Sequence, residues 1–274
     1  MKNYMQLISS GIRGFQQSRY IILLIGLVGP IVLSSGAEIA IAQPKGTLAK
    51  TPVKFRLPSI PKGDPPRGTG SGGASRDRCP QVSRPLTVLM PTSLRTTQTG
   101  RQVKDVWGLT TMESPMLWFY NPYTGADRYP VELIIRGDHH NGKILARRSV
   151  LMPKNPGVFN LSMPETFTNM NINDRRYWQL NLNCDPKRTG VPIRLEGMVQ
   201  RVELSPADLK AIEAAKTPHD LAVQYADRGL WLDALDLIGN ARTAEPENLG
   251  VKDDWKSLLD SAGLSAFAED EMGD

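Results

Sequence analysis

Between residues 79 and 204 apolar and polar residues alternate, and this period of two restricts the fold more than any other feature of the chain. In the clearest segment, 177–184, the apolar residues are Trp178, Leu180, Leu182 and Cys184, and the polar ones between them are Gln179, Asn181 and Asn183. Successive side chains of a strand point to opposite faces, so this pattern predicts a strand with one buried face and one wet face.

Six further segments have strand character, namely 86–90, 116–120, 131–136, 143–151, 158–163 and 193–204. Turn sequences separate them, and the Asn141-Gly142 pair is of the type that tight hairpins require. About seven short strands in about 120 residues, without helical stretches between them, predict an antiparallel, immunoglobulin-like β-sandwich over residues 79–204.

After Ser205 the apolar residues recur with a helical period. Ser205-Pro206 and Thr217-Pro218 each place a hydroxyl residue at an N-cap and a proline at the first helical position. The pattern predicts helices that start at these two sites, followed by helices over about 231–242 and 251–262. Residues 205–274 therefore form a predicted helical region with an acidic tail.

The segment 221–246 within this region resembles a single tetratricopeptide hairpin. The residues at matching offsets are Gly229, Trp231, Ala234 and Pro246. One such repeat cannot form a solenoid, because these units are stable only when they are stacked. We expect the helices to pack on the sandwich or on a partner chain.

The N-terminus has the organisation of a cleavable secretory signal peptide over residues 1–42. A basic segment carries Lys2, Arg13 and Arg19, an apolar run spans 20–33, and small residues lead to Ala40-Ile41-Ala42. This pattern predicts cleavage between Ala42 and Gln43, and export to the periplasm or the cell surface. The alternative is an uncleaved membrane anchor.

The chain contains two cysteines, Cys79 and Cys184. An even number of cysteines in an exported chain predicts one disulfide bond, although two unpaired buried thiols are the alternative. No Cys-x-x-Cys spacing is present, so the sequence indicates no redox or zinc motif.

Charge is unevenly distributed along the chain. Residues 43–104 contain 12 Lys and Arg against 2 Asp and Glu, whereas residues 205–274 contain 6 against 15. The Pro/Gly-rich stretch 43–78 is predicted to be a basic linker, and we interpret it as a solvated arm that is partly neutralised by the acidic end of the same chain. The alternative is that this arm binds anionic lipid or acidic polysaccharide weakly. Nucleic acid is not an expected partner of an exported protein.

Several short motifs together resemble a known family. They are Cys79-Pro80, Leu86-Thr87, the block 115–123, Pro156-Gly157, Arg176-Tyr177-Trp178, Cys184-Asp185-Pro186, Glu196-Gly197, the segment 199–202, and Tyr225 with Gly229, Trp231 and 233–235. Over about residues 79–268 the chain resembles a cyanobacterial exported family, the domain of unknown function number nine hundred and twenty-eight. The resemblance implies a periplasmic or cell-surface setting in a cyanobacterium and supports pairing of the two cysteines. It brings no activity and no catalytic residues.

The aromatic block around Trp118, Tyr120 and Tyr123 is the candidate binding surface, where aromatic rings stack on a sugar or anchor a protein. Packing in the core is the explanation that we favour for this block, and a binding surface is the alternative. His139 and His140 are adjacent and have no obvious third ligand, so no metal site is assigned. Motifs of serine hydrolases, zinc proteases and phosphate-binding loops are missing from the sequence.

These observations favour a non-catalytic exported binding or assembly module of the cell envelope, without a cofactor, whose partner is an envelope protein or polysaccharide. The alternative is an envelope hydrolase that acts on polysaccharide or peptidoglycan. A concave pocket with two facing carboxylates, or a Ser or Cys beside a His, favours the enzyme. A closed sandwich with an exposed aromatic patch favours binding.

Overall fold

The computed structural model describes residues 50–59, 68–72, 79–162, 169–185, 187 and 190–273. The predicted signal peptide, with its cut between Ala42 and Gln43, lies outside these residues. Among the helices that are described, none is long and apolar enough to cross a membrane.

Strands come first in the described chain and helices second, as the α+β prediction requires. The strands are β1 Thr87–Val88, β2 Thr92–Thr96, β3 Gln102–Thr110, β4 Met116–Asn121, β5 Val131–Arg136, β6 Ile144–Val150, β7 Gly157–Ser162, β8 Arg175–Leu182 and β9 Ile193–Arg201. The helices are α1 Pro206–Glu213, α2 Pro218–Asp227, α3 Trp231–Ala244 and α4 Leu249–Ser261. Seven strands match the predicted segments, whereas β2 and β3 are not among them.

The strands form two sheets, a three-stranded one in the order β1-β4-β7 and a six-stranded one in the order β2-β3-β9-β8-β5-β6. Neighbours pair antiparallel except β3 and β9, which run parallel from Trp107 opposite Met198 to Thr110 opposite Arg201. The prediction of a purely antiparallel arrangement is therefore wrong at this pair. A period of two indicates a strand but not its direction, and a long connection permits parallel pairing.

β8 has the predicted alternation. Trp178, Leu180 and Leu182 are buried, whereas Gln179 and Asn181 are only partly covered. The strand ends at Leu182, so Cys184 lies just beyond the strand that was predicted to carry it.

Residues 68–72 connect the two sheets, although the sequence places them in a flexible linker. Thr69 pairs with β9 of the large sheet, and Ser71 pairs with β1 of the small sheet. A Cβ atom at Gly72 would lie 2.3 Å from the Ile193 side chain, far closer than van der Waals contact. Glycine is needed here because the segment packs tightly, and residues 68–72 belong to the folded body.

The two predicted helix starts are confirmed. Ser205 Oγ accepts a hydrogen bond from the Asp208 N–H at 3.1 Å. Thr217 Oγ1 accepts from the Asp220 N–H at 3.0 Å, and the Asp220 carboxylate accepts from the Thr217 N–H at 3.2 Å. The second pair of bonds is a complete capping box, which satisfies amides that the first helical turn leaves without partners.

Sheets and helices share one hydrophobic core. Trp118 of β4 meets Trp255 of α4 edge-on, with 6.0 Å between ring centroids. Gly239 lets α3 approach the Trp118 ring, since a Cβ atom there would lie 2.5 Å from it. The Trp231 indole N–H donates to the Leu89 carbonyl at 2.9 Å. The helices thus pack on the sheets of their own chain.

A buried carboxylate fixes α3 to the end of β3. Asp233 is 5% exposed, and its carboxylate accepts from the Thr111 N–H at 3.1 Å and from the Thr111 hydroxyl. Removal from water raises the pKa of Asp233 to about 6, although the hydrogen bonds from Thr111 and Thr110 oppose the shift.

The segment after α4 returns to the small sheet. Met272 forms a parallel bridge with Val158 of β7. Arg84 donates to both oxygens of the Asp270 carboxylate at 2.6 Å and to the Tyr120 hydroxyl at 3.0 Å. The hydrogen bonds to Asp270 raise the pKa of the Arg84 guanidinium above its usual value.

Cys79 and Cys184 form the predicted disulfide, with 5.0 Å between their Cα atoms. The bond joins positions 105 residues apart, and Cys184 is 8% exposed. It fastens the start of the predicted sandwich region to the loop that follows β8.

Candidate binding groove on the helical region

An extended arm, residues 50–59, lies on the helices and defines the candidate site. The helical region accepts hydrogen bonds from three backbone N–H groups of the arm. The Val53 N–H donates to Ser257 Oγ at 3.1 Å, the Phe55 N–H donates to Ser261 Oγ at 2.8 Å, and the Arg56 N–H donates to the Ala226 carbonyl at 3.0 Å. We call the surface that α2, α4 and the start of α3 present to the arm the groove. The groove holds a polypeptide by its backbone.

Apolar side chains of the arm fit into the groove. Val53 is fully buried, and Phe55 meets the Trp231 ring edge-on with 5.0 Å between centroids. Pro58 crosses Gly229, where a Cβ atom would lie 2.9 Å from the proline ring. Gly229 also has a φ of 72°, a conformation that favours glycine. The turn between α2 and α3 is thus shaped to let the arm pass.

Cations of the arm pair with acids of the helices. The Lys50 ammonium lies 2.8 Å from one oxygen of Asp254, and His219 Nδ1 lies 2.9 Å from the other. Arg56 pairs with Asp227 at 2.7 Å, but both side chains are more than half exposed, so this pair contributes little. Asp254 is 8% exposed, which makes its contact with Lys50 the stronger anchor.

A cavity of about 230 Å³ opens beside Lys50 where the ends of α2, α3 and α4 meet. Its apolar lining comes from Pro218, Leu237, Ile238, Ala241 and Val251, and its polar lining comes from Lys50, Thr217, His219, Glu245, Asn248 and Asp254. Apolar walls with a few polar groups are typical of binding pockets. Below about 300 Å³, such a cavity suits one side chain rather than a larger ligand.

Two polar groups that line this cavity, the Asp254 carboxylate and the Thr217 hydroxyl, are already engaged within the protein. The two carboxylates of the cavity are Glu245 and Asp254, and both oxygens of Asp254 are engaged by Lys50 and His219. The described residues that line the cavity include no serine or cysteine. The hydroxyl of Thr217 already accepts the capping hydrogen bond of α2.

The predicted aromatic surface lies inside the protein. Trp118 is 1% exposed, Tyr120 is 7% exposed and Tyr123 is 3% exposed. Burial raises the pKa of the Tyr123 hydroxyl. The three side chains pack in the core, which is the explanation that the sequence favoured, and they are not brought to the groove.

His139 and His140 lie at the turn between β5 and β6, with the His140 ring edge-on to Tyr177 at 6.1 Å. Across the described ranges, no group of three or more His, Cys, Asp or Glu side chains is placed to hold a metal ion. The third histidine, His219, is the one that the fold brings to the groove.

Neither the arm nor the groove was expected from the sequence. The proline and glycine content of 43–78 predicts a linker, and that signal hides the apolar pair Val53 and Phe55 on one face of an extended segment. The sequence held one indication that the arm contacts the helices: residues 43–104 are basic and residues 205–274 are acidic, so the two parts attract each other.

The chain matches the model of a known family. The sequence profile described as Domain of Unknown Function (DUF928) matches residues 71–272. This span contains both sheets and all four described helices, and therefore the groove, but not the arm. No curated protein matches the chain.

Proposed function

Since the chain belongs to the DUF928 family, whose description assigns no activity, we propose its function from the groove: a non-catalytic exported binding or assembly module of the cell envelope that binds an extended polypeptide segment. The observation that carries this proposal is the capture of three arm amides by Ser257, Ser261 and Ala226. A surface that binds a backbone in this way accepts extended chains of varied sequence.

Specificity comes from the side chains on either side of those amides. The sites of Val53 and Phe55 select an aliphatic and an aromatic residue two positions apart, and Asp254 selects a cation three positions before the aliphatic one. The cavity beside Lys50 extends the groove by one side-chain site for a partner.

Binding of the arm sequence as a separate peptide tests this proposal. The host is the full chain with Val53→Asp and Phe55→Ser, which releases its own arm and leaves the groove open. We expect a fluorescent peptide with the sequence of residues 50–59 to bind saturably, as measured by fluorescence anisotropy.

The matched control is the same peptide with Val53→Asp. Burial of a valine contributes about 1.5 kcal/mol or more, so we expect the control to bind at least about tenfold more weakly. Thermal unfolding of the host checks that it is folded. Equal binding of both peptides, or no binding to a folded host, contradicts the proposal.

Export is supported by the Cys79–Cys184 disulfide, since such bonds persist in oxidising compartments. The signal-peptide prediction gives a mature chain that begins at Gln43. Intact-mass measurement of protein from the cell envelope tests it, and a retained N-terminus would indicate an anchor instead.

The finer fold assignments are part of the proposal. We take the two sheets as an immunoglobulin-like sandwich, and α2 with α3 as a tetratricopeptide-like hairpin, in which Ala234 is fully buried between its neighbours. An experimental structure compared with both fold types decides these assignments.

Weak binding of anionic surfaces by residues 43–78 stays a prediction. Lys50 and Arg56 are paired with acids of the same chain, which supports the interpretation of an internally neutralised arm. Salt-sensitive adsorption to anionic vesicles that is lost on deletion of residues 43–76 supports surface binding, and equal adsorption by the truncated chain excludes it.

The alternative function, an envelope hydrolase, draws on the contact between Asp254 and His219 inside a concave cavity. It predicts release of soluble fragments from peptidoglycan or envelope polysaccharide, and loss of that release in His219→Ala. The absence of fragment release from both substrates by the folded wild-type chain excludes it.

A further inference from the structure

Each copy of this chain carries both an arm and the groove that fits it. The described hydrogen bonds, ion pairs and ring contacts of residues 50–59 all join the arm to the helical region. An arm from another copy can make the same contacts, because none of them depends on where the arm is attached.

From this we infer that copies of the chain assemble by exchanging arms, so that residues 50–59 of one copy occupy the groove of another and supply Lys50 to its Asp254. The inference rests on the proposed function and names a second copy as the partner of the groove. Reciprocal exchange between two copies gives a closed, twofold-symmetric dimer.

Charge complementarity favours this occupant. The arm contributes Lys50, Lys54 and Arg56 and no acid, and residues 205–274 contain 15 Asp and Glu against 6 Lys and Arg. Complementary charge steers the encounter of the two surfaces. Val53 and Phe55 then fill sites that already fit them.

Covalent geometry restricts how the copies meet. Eight residues, 60–67, join the arm to residue 68, and a connector of that length spans at most about 30 Å. Exchange therefore requires the groove of one copy to lie within about 30 Å of residue 68 of the other. A chain's own arm competes with the arm of another copy for the groove, at an effective concentration of about 1 mM. Dilute wild-type protein is therefore expected to be monomeric.

A complementation experiment removes that competition. The first full-length variant carries Val53→Asp and Phe55→Ser, so its arm cannot bind but its groove is intact. The second carries Ser261→Trp, which blocks the groove at an exposed position and leaves the arm intact. Alone, each variant should be monomeric. When they are mixed, we expect a heterodimer, seen as a doubling of mass by native mass spectrometry and light scattering.

A third variant, Ser257→Trp, repeats the groove block at a second position in case the first is tolerated or misfolds. A mixture of folded variants that stays monomeric above the dissociation constant of the arm peptide overturns the exchange. If the arm peptide binds and the variants do not associate, the groove still recognises polypeptides but copies do not exchange arms. If the peptide fails to bind as well, both the proposed function and the exchange are wrong.

Discussion

Replacement of Asp233 by asparagine tests the energetic cost of the buried carboxylate that joins α3 to β3. The pKa of this group is raised by burial from 3.8 to about 6. Because the folded-state pKa lies above the unfolded-state value, the folded protein binds the proton more tightly than the unfolded chain does. Ionisation therefore destabilises the fold: the cost is absent below about pH 4 and reaches about 3 kcal/mol above about pH 6, at about 1.4 kcal/mol per pKa unit.

Asp233→Asn removes this titration, while its amide oxygen can still accept hydrogen bonds from Thr111. The free energy of unfolding of the variant, relative to wild type, should rise by about 2 to 3 kcal/mol between pH 4 and pH 7. Urea unfolding followed by tryptophan fluorescence at several pH values measures this difference.

The matched control is Asp253→Asn, at an exposed position of α4, which should change the free energy of unfolding by less than about 0.5 kcal/mol. A difference between Asp233→Asn and wild type that is constant with pH would refute the argument from burial.

Two further predictions concern stability. Replacement of Cys79 and Cys184 by serine should lower the free energy of unfolding by about 2 to 5 kcal/mol, because the bond closes a long loop; free alkylation of both thiols in the native, unreduced protein would contradict the pairing. Gly239→Ala should lower it by about 1 to 3 kcal/mol, because its methyl group collides with the Trp118 ring. A Cβ atom at Gly250 would lie 3.4 Å from its nearest neighbour, so Gly250→Ala should leave the free energy of unfolding unchanged or raise it. Urea unfolding measures both glycine variants, and equal losses of stability in the two would contradict the packing argument.

Helix positions follow from the sequence because the signals that start a helix are local. At Ser205 and Thr217, a capping hydroxyl, a proline and an acid within four residues are enough to predict the start of a helix. The observed helix begins at the next residue in both cases. Strands with one wet face, such as β8, are equally readable because alternation needs only the strand itself.

β3 lacks this alternation and was missed. Val106 and Trp107 are adjacent and both are buried, because the core covers one face of β3 and a second cluster with Tyr177 and Met198 covers the other. A strand covered on both faces has no period of two. Its parallel partner β9 follows much later in the chain, which no local pattern can indicate.

The aromatic block and the arm are two further segments whose surroundings the residue types alone do not determine. Large aromatic residues suit both a core and a binding surface, and only tertiary packing places Trp118 and Tyr120 inside. Prolines and glycines suit both a linker and an extended segment in a groove, and only the helices behind it bury Val53. In both cases the residue types are correct but the deciding contacts are distant in sequence.

Hydrogen exchange of the arm amides in the wild-type chain tests the binding role of the groove most directly. The N–H groups of Val53, Phe55 and Arg56 should exchange slowly, because each donates to the helical region. Excess peptide with the sequence of residues 50–59 should accelerate their exchange by displacing the arm, whereas the peptide with Val53→Asp should not. Arm amides that exchange rapidly without peptide, or whose exchange no excess of the peptide changes, would contradict a groove that binds an extended polypeptide.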